Sequence, residues 1–198
     1  MKQKLKQTLA GLLAAGMLAC PALAASFPDV SSSADYAEAV EYVSDIGLMV
    51  GDEQGKFNPN KTVTRAEMAA IICRMLGETE GLSKSGKFSD VPTSHWANPY
   101  VAKAAELGIV SGYGDGKFGP SDTVTYEQAV TMIVRAAYGS EAAELLGGYP
   151  NGYVTVAKNN YLLYQLNASY SSDMSRASVA QLLYNYYCQE DSYDEKVD

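Results

Sequence analysis

From residue 27 to 188, apolar positions recur at helical spacing in short blocks closed by glycine. Tyr36, Val40 and Val43 fall on one helix face, and Gly47 follows as a left-handed C-terminal stop. Trp96, Tyr100, Val101, Ala104 and Leu107 repeat that face ahead of Gly108, where Pro99 is tolerable only within the first turn. A second kind of block follows each of these. Met68, Ile71, Ile72, Met75 and Leu76 form one apolar stripe, opened by Thr64 with Glu67 three positions on, which is a capping box. Thr125 and Gln128 repeat that device. The stretches Gly51 to Pro59 and Gly112 to Pro120 read as loops, with Phe57 or Phe118 plugging each onto a core.

The blocks are copies. Phe27-Pro28-Asp29-Val30 matches Phe88-Ser89-Asp90-Val91 at an offset of 61, and one register pairs Gly47 with Gly108, Gly51 with Gly112 and Arg74 with Arg135. A third, worn copy carries Met174-Ser175-Arg176-Ala177-Ser178 against Val63-Thr64-Arg65-Ala66-Glu67. Its front half, Gly147 to Leu166, keeps a short helical segment but has lost the Phe-x-Asp-Val opening and the Asp-Gly-Lys-Phe loop. Residues 27–77, 88–139 and 147–188 are the expected copies. A helix pair this short cannot bury its stripe alone, so the copies must pack on one another. The expected fold is all-α, one domain with pseudo-threefold character.

The chain's ends change the picture. Lys2, Lys4 and Lys6, an uncharged apolar run from Leu9 to Ala19, and Ala22-Leu23-Ala24 read as a signal peptide cleaved after Ala24 or Ala25. The rival reading is lipidation at Cys20. The 198-residue chain has a formal charge of −8, and losing three lysines and no acids leaves about 174 residues near −11. Such a field does not attract nucleic acid, and an anionic polymer would need a local cationic pocket. No later segment is apolar enough for a membrane. The tail 189–198 is acidic and reads as a solvated end.

Phe-x-Asp-Val, His95-Trp96-Ala97, Leu107-Gly108-Ile109-Val110-Ser111-Gly112, Asp115-Gly116-Lys117-Phe118 and Val63-Thr64-Arg65-Ala66-Glu67 together resemble the S-layer homology (SLH) repeat. The resemblance runs from residue 27 to about 188. It implies a three-pronged bundle whose grooves hold secondary cell-wall polysaccharide, often a sugar carrying a pyruvate ketal, with the Thr-Arg-Ala-Glu arginine on its carboxylate. The expected site is then Arg65 and Arg176, with Glu67 beside Arg65 and with Trp96, Gly47 and Gly108 shaping the grooves. The implied partner is a wall glycan at the bacterial surface, with peptidoglycan or other surface proteins as further partners. The alternative is a protein-interaction or self-assembly module, which needs an exposed apolar patch instead of a cationic groove.

The residues support the arginines independently. Arg65 follows the N-cap, where a cation opposes the helix dipole, and a broken local rule points to function. A guanidinium beside free helix N–H groups would make an anion site, whereas the bland alternative pairs Arg65 with Glu67. The departures limit the grooves. Tyr126 replaces the arginine in the second copy, either stacking on a sugar or packing. Asp35 stands where the second copy has Trp96, although Tyr36 adjoins it, and Tyr161 and Gln165 stand near the positions of Gly108 and Gly112.

Other chemistry is thin. Cys73 and Cys188 lie in apolar runs and read as buried thiols without a disulfide, and a single histidine, His95, gives no zinc spacing. The glycine-rich loops lack the ligand alternation of a calcium loop, and no nucleophile elbow or metal motif suggests an enzyme or cofactor. Ten of the fifteen tyrosines lie from Tyr138 onward, a distribution that suits both core packing and carbohydrate.

Overall fold

A computed structural model describes residues 27–188. The signal peptide with its Ala24 and Cys20 alternatives, and the acidic tail, lie outside them. Among the described residues seven helices follow in order: α1 (Ala37–Asp45), α2 (Arg65–Met75), α3 (Asn98–Glu106), α4 (Tyr126–Tyr138), α5 (Glu141–Leu145), α6 (Asn151–Asn159) and α7 (Arg176–Cys188). The all-α expectation holds, and α5 is an element the apolar pattern did not predict.

The helix pairs form between copies. α1 packs on α7, α3 on α2 and α6 on α4, so the first helix of each copy lies against the second helix of the preceding one, cyclically. This is why α2 is buried almost all round and not along one stripe: Ala66, Ala69, Ala70 and Cys73 are covered as well as Met68, Ile71, Ile72 and Met75. Asn98 ties the linker to α3, donating to the carbonyls of Ser85 and Val91 while accepting from the Ser85 N–H. One correction concerns Trp96 and Leu107. Trp96 precedes α3 and both side chains are exposed, because the face that meets α2 is Val101, Ala104 and Ala105.

At the centre the three second helices start side by side. The Val63 N–H donates to the Met174 carbonyl, the Val124 N–H to Val63 and the Met174 N–H to Val124, each at 2.9 Å. Isolated bridges Thr62–Ser175, Thr64–Thr123 and Thr125–Asp173 flank this ring. Val63, Val124 and Met174 are buried, so the ring's bonds are shielded from water.

The Phe-x-Asp-Val opening holds the glycine-rich loop. Phe27 packs on Phe57 with centroids 5.3 Å apart, and Phe88 on Phe118 at 5.4 Å. Gly51 and Gly112 leave room for those rings, since a Cβ on either would stand 2.7 Å from Phe27 or Phe88. The Asp29 carboxylate accepts the N–H groups of Phe57 and Asn58, and Asp90 accepts those of Phe118 and Gly119. Desolvation would raise both carboxyl pKa values, but these backbone donors outweigh it and hold them below the ordinary aspartate value.

A depressed folded-state pKa stabilises the fold above the unfolded aspartate value, and that contribution is lost as pH falls through the folded one. Urea-unfolding midpoints should therefore drop as pH goes below about 4. The Asp29→Asn, Asp90→Asn double variant should be less stable at pH 7 and show a shallower acid loss.

Candidate functional site

The second helix of a copy begins by sending its arginine into another copy's loop. Arg65 donates from Nε to the Phe118 carbonyl at 2.9 Å and from an Nη to the Ser111 carbonyl at 3.0 Å. Its guanidinium carbon lies 4.6 Å from the Phe118 ring centroid and 4.9 Å from that of Tyr113. Arg176 does the same in the first copy's loop, with Nε to Phe57 O at 2.6 Å, an Nη to Val50 O at 2.7 Å, and its carbon 4.5 Å from the Phe57 centroid. Phe57 and Val50 are the register partners of Phe118 and Ser111, so the two clasps are equivalent. Burial lowers the Arg176 pKa against the pull of Glu67 and Asp52, and the group remains a cation.

One part of the anion-site reading is corrected, and the bland alternative to it is corrected as well. The helix N–H groups beside the arginines are not free. Arg65 N donates to Asp122 O and Ala66 N to Pro120 O, while Arg176 N donates to Lys61 O and Ala177 N to Pro59 O. The adjoining copy's loop turns its carbonyls onto each helix start, which also offsets the dipole the arginine opposes. Nor does Glu67 pair with Arg65. Glu67 caps α2, accepting from Thr64 N at 2.8 Å while its own N–H meets Thr64 Oγ1 at 3.2 Å, and it bonds Lys61 at 3.0 Å. The second copy keeps the same capping box, with Thr125 N donating to Gln128 Oε1 at 3.3 Å.

Arg65 is 6% exposed and has no carboxylate within 4.0 Å among the described residues. It borders a cleft of about 330 Å³ with Ser111, Tyr113, Gln128, Thr131, Arg135 and Tyr149 also on its walls. Tyr113 and Tyr149 are exposed, and Tyr113 donates to Asp122 at 2.8 Å. Thr131 Oγ1 is buried without a hydrogen-bond partner among the described residues. Arg135 is held by the Ile109 carbonyl and by Tyr153, whose hydroxyl donates to Glu144 at 2.7 Å. This cleft draws on all three copies: Arg65 from the first, the loop and α4 from the second, Tyr149 from the third.

The other expected residues disperse. Tyr126 is buried against Tyr170, centroids 5.4 Å apart, so it packs and presents no ring to a ligand. Trp96 is 56% exposed, stacked on His95 at 5.9 Å, and is not among the residues lining the Arg65 cleft. Gly47 and Gly108 have φ of +73° and +70°, and a Cβ on either would meet nothing within 4 Å of the protein. Their requirement is the left-handed turn. Tyr161, at φ +55°, keeps that turn in the third copy without glycine, and Gln165 is left-handed too at +52°. Cys73 is buried and its thiol pushed up to about 11 by desolvation, Cys188 is only half-buried, and no disulfide joins them. Arg135 and Thr131 were missed: the Arg74–Arg135 match in register was their one signal, and a basic residue in a last helical turn already has a structural explanation.

A family model described as the S-layer homology domain matches residues 26–69 and 87–130. A cell surface protein of Thermoanaerobacter kivui is 34% identical over 161 residues, covering 79% of this chain and 20% of its own length. The middle cell wall protein of Brevibacillus brevis is 34% identical over 163 residues, 79% of this chain and 15% of its own length. An uncharacterized cell wall amidase of Bacillus anthracis is 31% identical over 131 residues, 64% of this chain and 24% of its own. The chain thus spans a quarter or less of the length of these curated relatives.

Gly47→Ala or Gly108→Ala should cost about 1–2 kcal/mol in urea unfolding, the left-handed penalty without a steric clash. Gly112→Ala should cost more, because its Cβ meets Phe88 and the Lys117 carbonyl.

Proposed function

The chain is an S-layer homology domain protein, and on that footing we propose that it attaches non-covalently to the bacterial cell wall by binding an acidic secondary polysaccharide. The observation that carries the reading is Arg65. A cation taken largely out of water and left without a carboxylate is costly unless something anionic completes it. Two carbonyls orient the guanidinium and leave further donors for a ligand, whose carboxylate it fits as a planar fork. Arg176, clasped in the same way, is the second candidate. A sugar ring bearing a pyruvate ketal would offer the carboxylate to Arg65 and an apolar face to Tyr113 or Tyr149. Thr131 and Arg135 line the same cleft.

Glu67, Gly47 and Gly108 enter this scheme as supports: Glu67 caps the helix that carries Arg65, and the glycines set the turns. The chain would act as a wall-associated surface protein without chemistry of its own, although one relative is named an amidase. The protein-interaction reading has one observation in its favour, the adjacent exposed side chains of Leu145 and Leu146.

The test is co-sedimentation with purified wall sacculi before and after the secondary polymer is stripped. Binding should fall at least about tenfold on stripping and in the Arg65→Ala, Arg176→Ala double variant, a loss of roughly 1.4 kcal/mol or more. Because those arginines also clasp the copies, Tyr149→Ala serves as the companion: its side chain is exposed and makes no hydrogen bond to another described residue. It should weaken sedimentation with an unchanged melting curve. Equal binding to stripped walls would overturn the glycan reading in favour of peptidoglycan or protein partners.

A further inference from the structure

A second groove, of about 400 Å³, runs between the first and third copies, and its chemistry is opposite to that of the Arg65 cleft. Ser178 and Gln181 of α7 are buried at its base. Asp35, Tyr36 and Asn60 of the first copy and Asn167 of the third stand along its walls. Among the described residues no lysine or arginine lines it, and Asp35 is its one charged group. The arginine position of the second copy, which by symmetry would supply a cation here, is the buried Tyr126.

The polar groups here are not consumed by the fold. The side chains of Asp35, Asn60 and Asn167 make no hydrogen bond to another described residue, whereas Ser178 is fixed by Ser175 and by the Asn167 carbonyl. Gln181 is oriented by its bond to Asn185, which in turn donates to the carbonyls of Leu162 and Tyr164. The base is therefore rigid and the rim available.

We propose that this groove is a separate binding site for an uncharged sugar bearing hydroxyl and acetamido groups. Carboxylate oxygens accept hydroxyl donors, and primary amides both donate and accept, which is what a hydroxyl or an acetamide requires of its surroundings. The Tyr36 ring supplies a partly covered apolar face for a sugar ring. Asp35 excludes the carboxylated glycan that the arginine clefts would take, because a like charge at close range and without a cation disfavours it. The site stands on residues other than Arg65 and Arg176, so its failure would leave the acidic-glycan reading intact, and the converse also holds.

The test is a titration of the ¹⁵N-labelled chain followed by backbone amide shifts, with two probes. Chitotriose is uncharged, and a hyaluronan tetrasaccharide alternates the same acetamido sugar with a carboxylate. Chitotriose should shift the amides of Asn60, Asn167 and Gln181 in a saturable way. Asp35→Ala and Asn167→Ala, both at exposed positions, should weaken it about fivefold or more while Arg65→Ala leaves it unchanged. At the same amides the hyaluronan tetrasaccharide should bind about tenfold more weakly, and Asp35→Asn should narrow that gap. No saturable shift at these amides with millimolar chitotriose, or a preference for the carboxylated probe there, would overturn the proposal.

Discussion

Everything else in this molecule is arranged around a circle of three backbone hydrogen bonds, Val63 to Met174, Val124 to Val63 and Met174 to Val124. Each bond joins a different pair of copies, and each sits one residue ahead of a capping position. The circle therefore sets where three helices begin and which way they leave. Burial makes a broken member expensive, since a stranded N–H or carbonyl there has no water to turn to. Chain segments far apart in sequence are brought to one axis, and the helix pairs then form between successive copies.

The arginine clasps follow from that geometry. A helix start held at the axis points its first side chain across the boundary, so Arg65 and Arg176 reach carbonyls that their own copies do not own. One group thereby joins two copies and leaves a cation at the seam. For an acidic chain this is a local solution: the overall field repels a polyanion at long range, while the seam offers a short-range, partly dehydrated guanidinium. The groove lined by Asp35 and amides, between the third and first copies, is reached by neither guanidinium, and so has a different chemistry within the same architecture.

Much of the fold was legible because the repeat register is dense. Thr64 with Glu67, Phe57 and Phe118 in the core, Pro99 in the first turn of α3 and the glycine stops are all local features, and they appear where pattern and propensity put them. What was not legible depends on contacts between distant segments. Helix periodicity could not show that α3 covers α2, so Trp96 and Leu107 were assigned to a face that turns out to be Val101, Ala104 and Ala105. The helix N–H groups were expected to be free because the carbonyls that occupy them, Asp122, Pro120, Lys61 and Pro59, belong to other copies. Arg65 was legible as an oddity against the helix dipole, while its acceptors at Phe118 and Ser111, and the cleft it borders with Arg135 and Thr131, were not. The third copy's turn survived the loss of its glycine, since Tyr161 adopts the left-handed conformation itself.

A closed circle also counts. Each copy occupies one seat, donating to one neighbour and accepting from the other, so three copies fill it and a fourth has no bond to make. The worn third copy is consequently a keystone: changes in its loop alter one groove, but displacing Met174 would unseat the two well-formed copies as well. The copy least like the family's pattern thus holds two of the three bonds that close the circle.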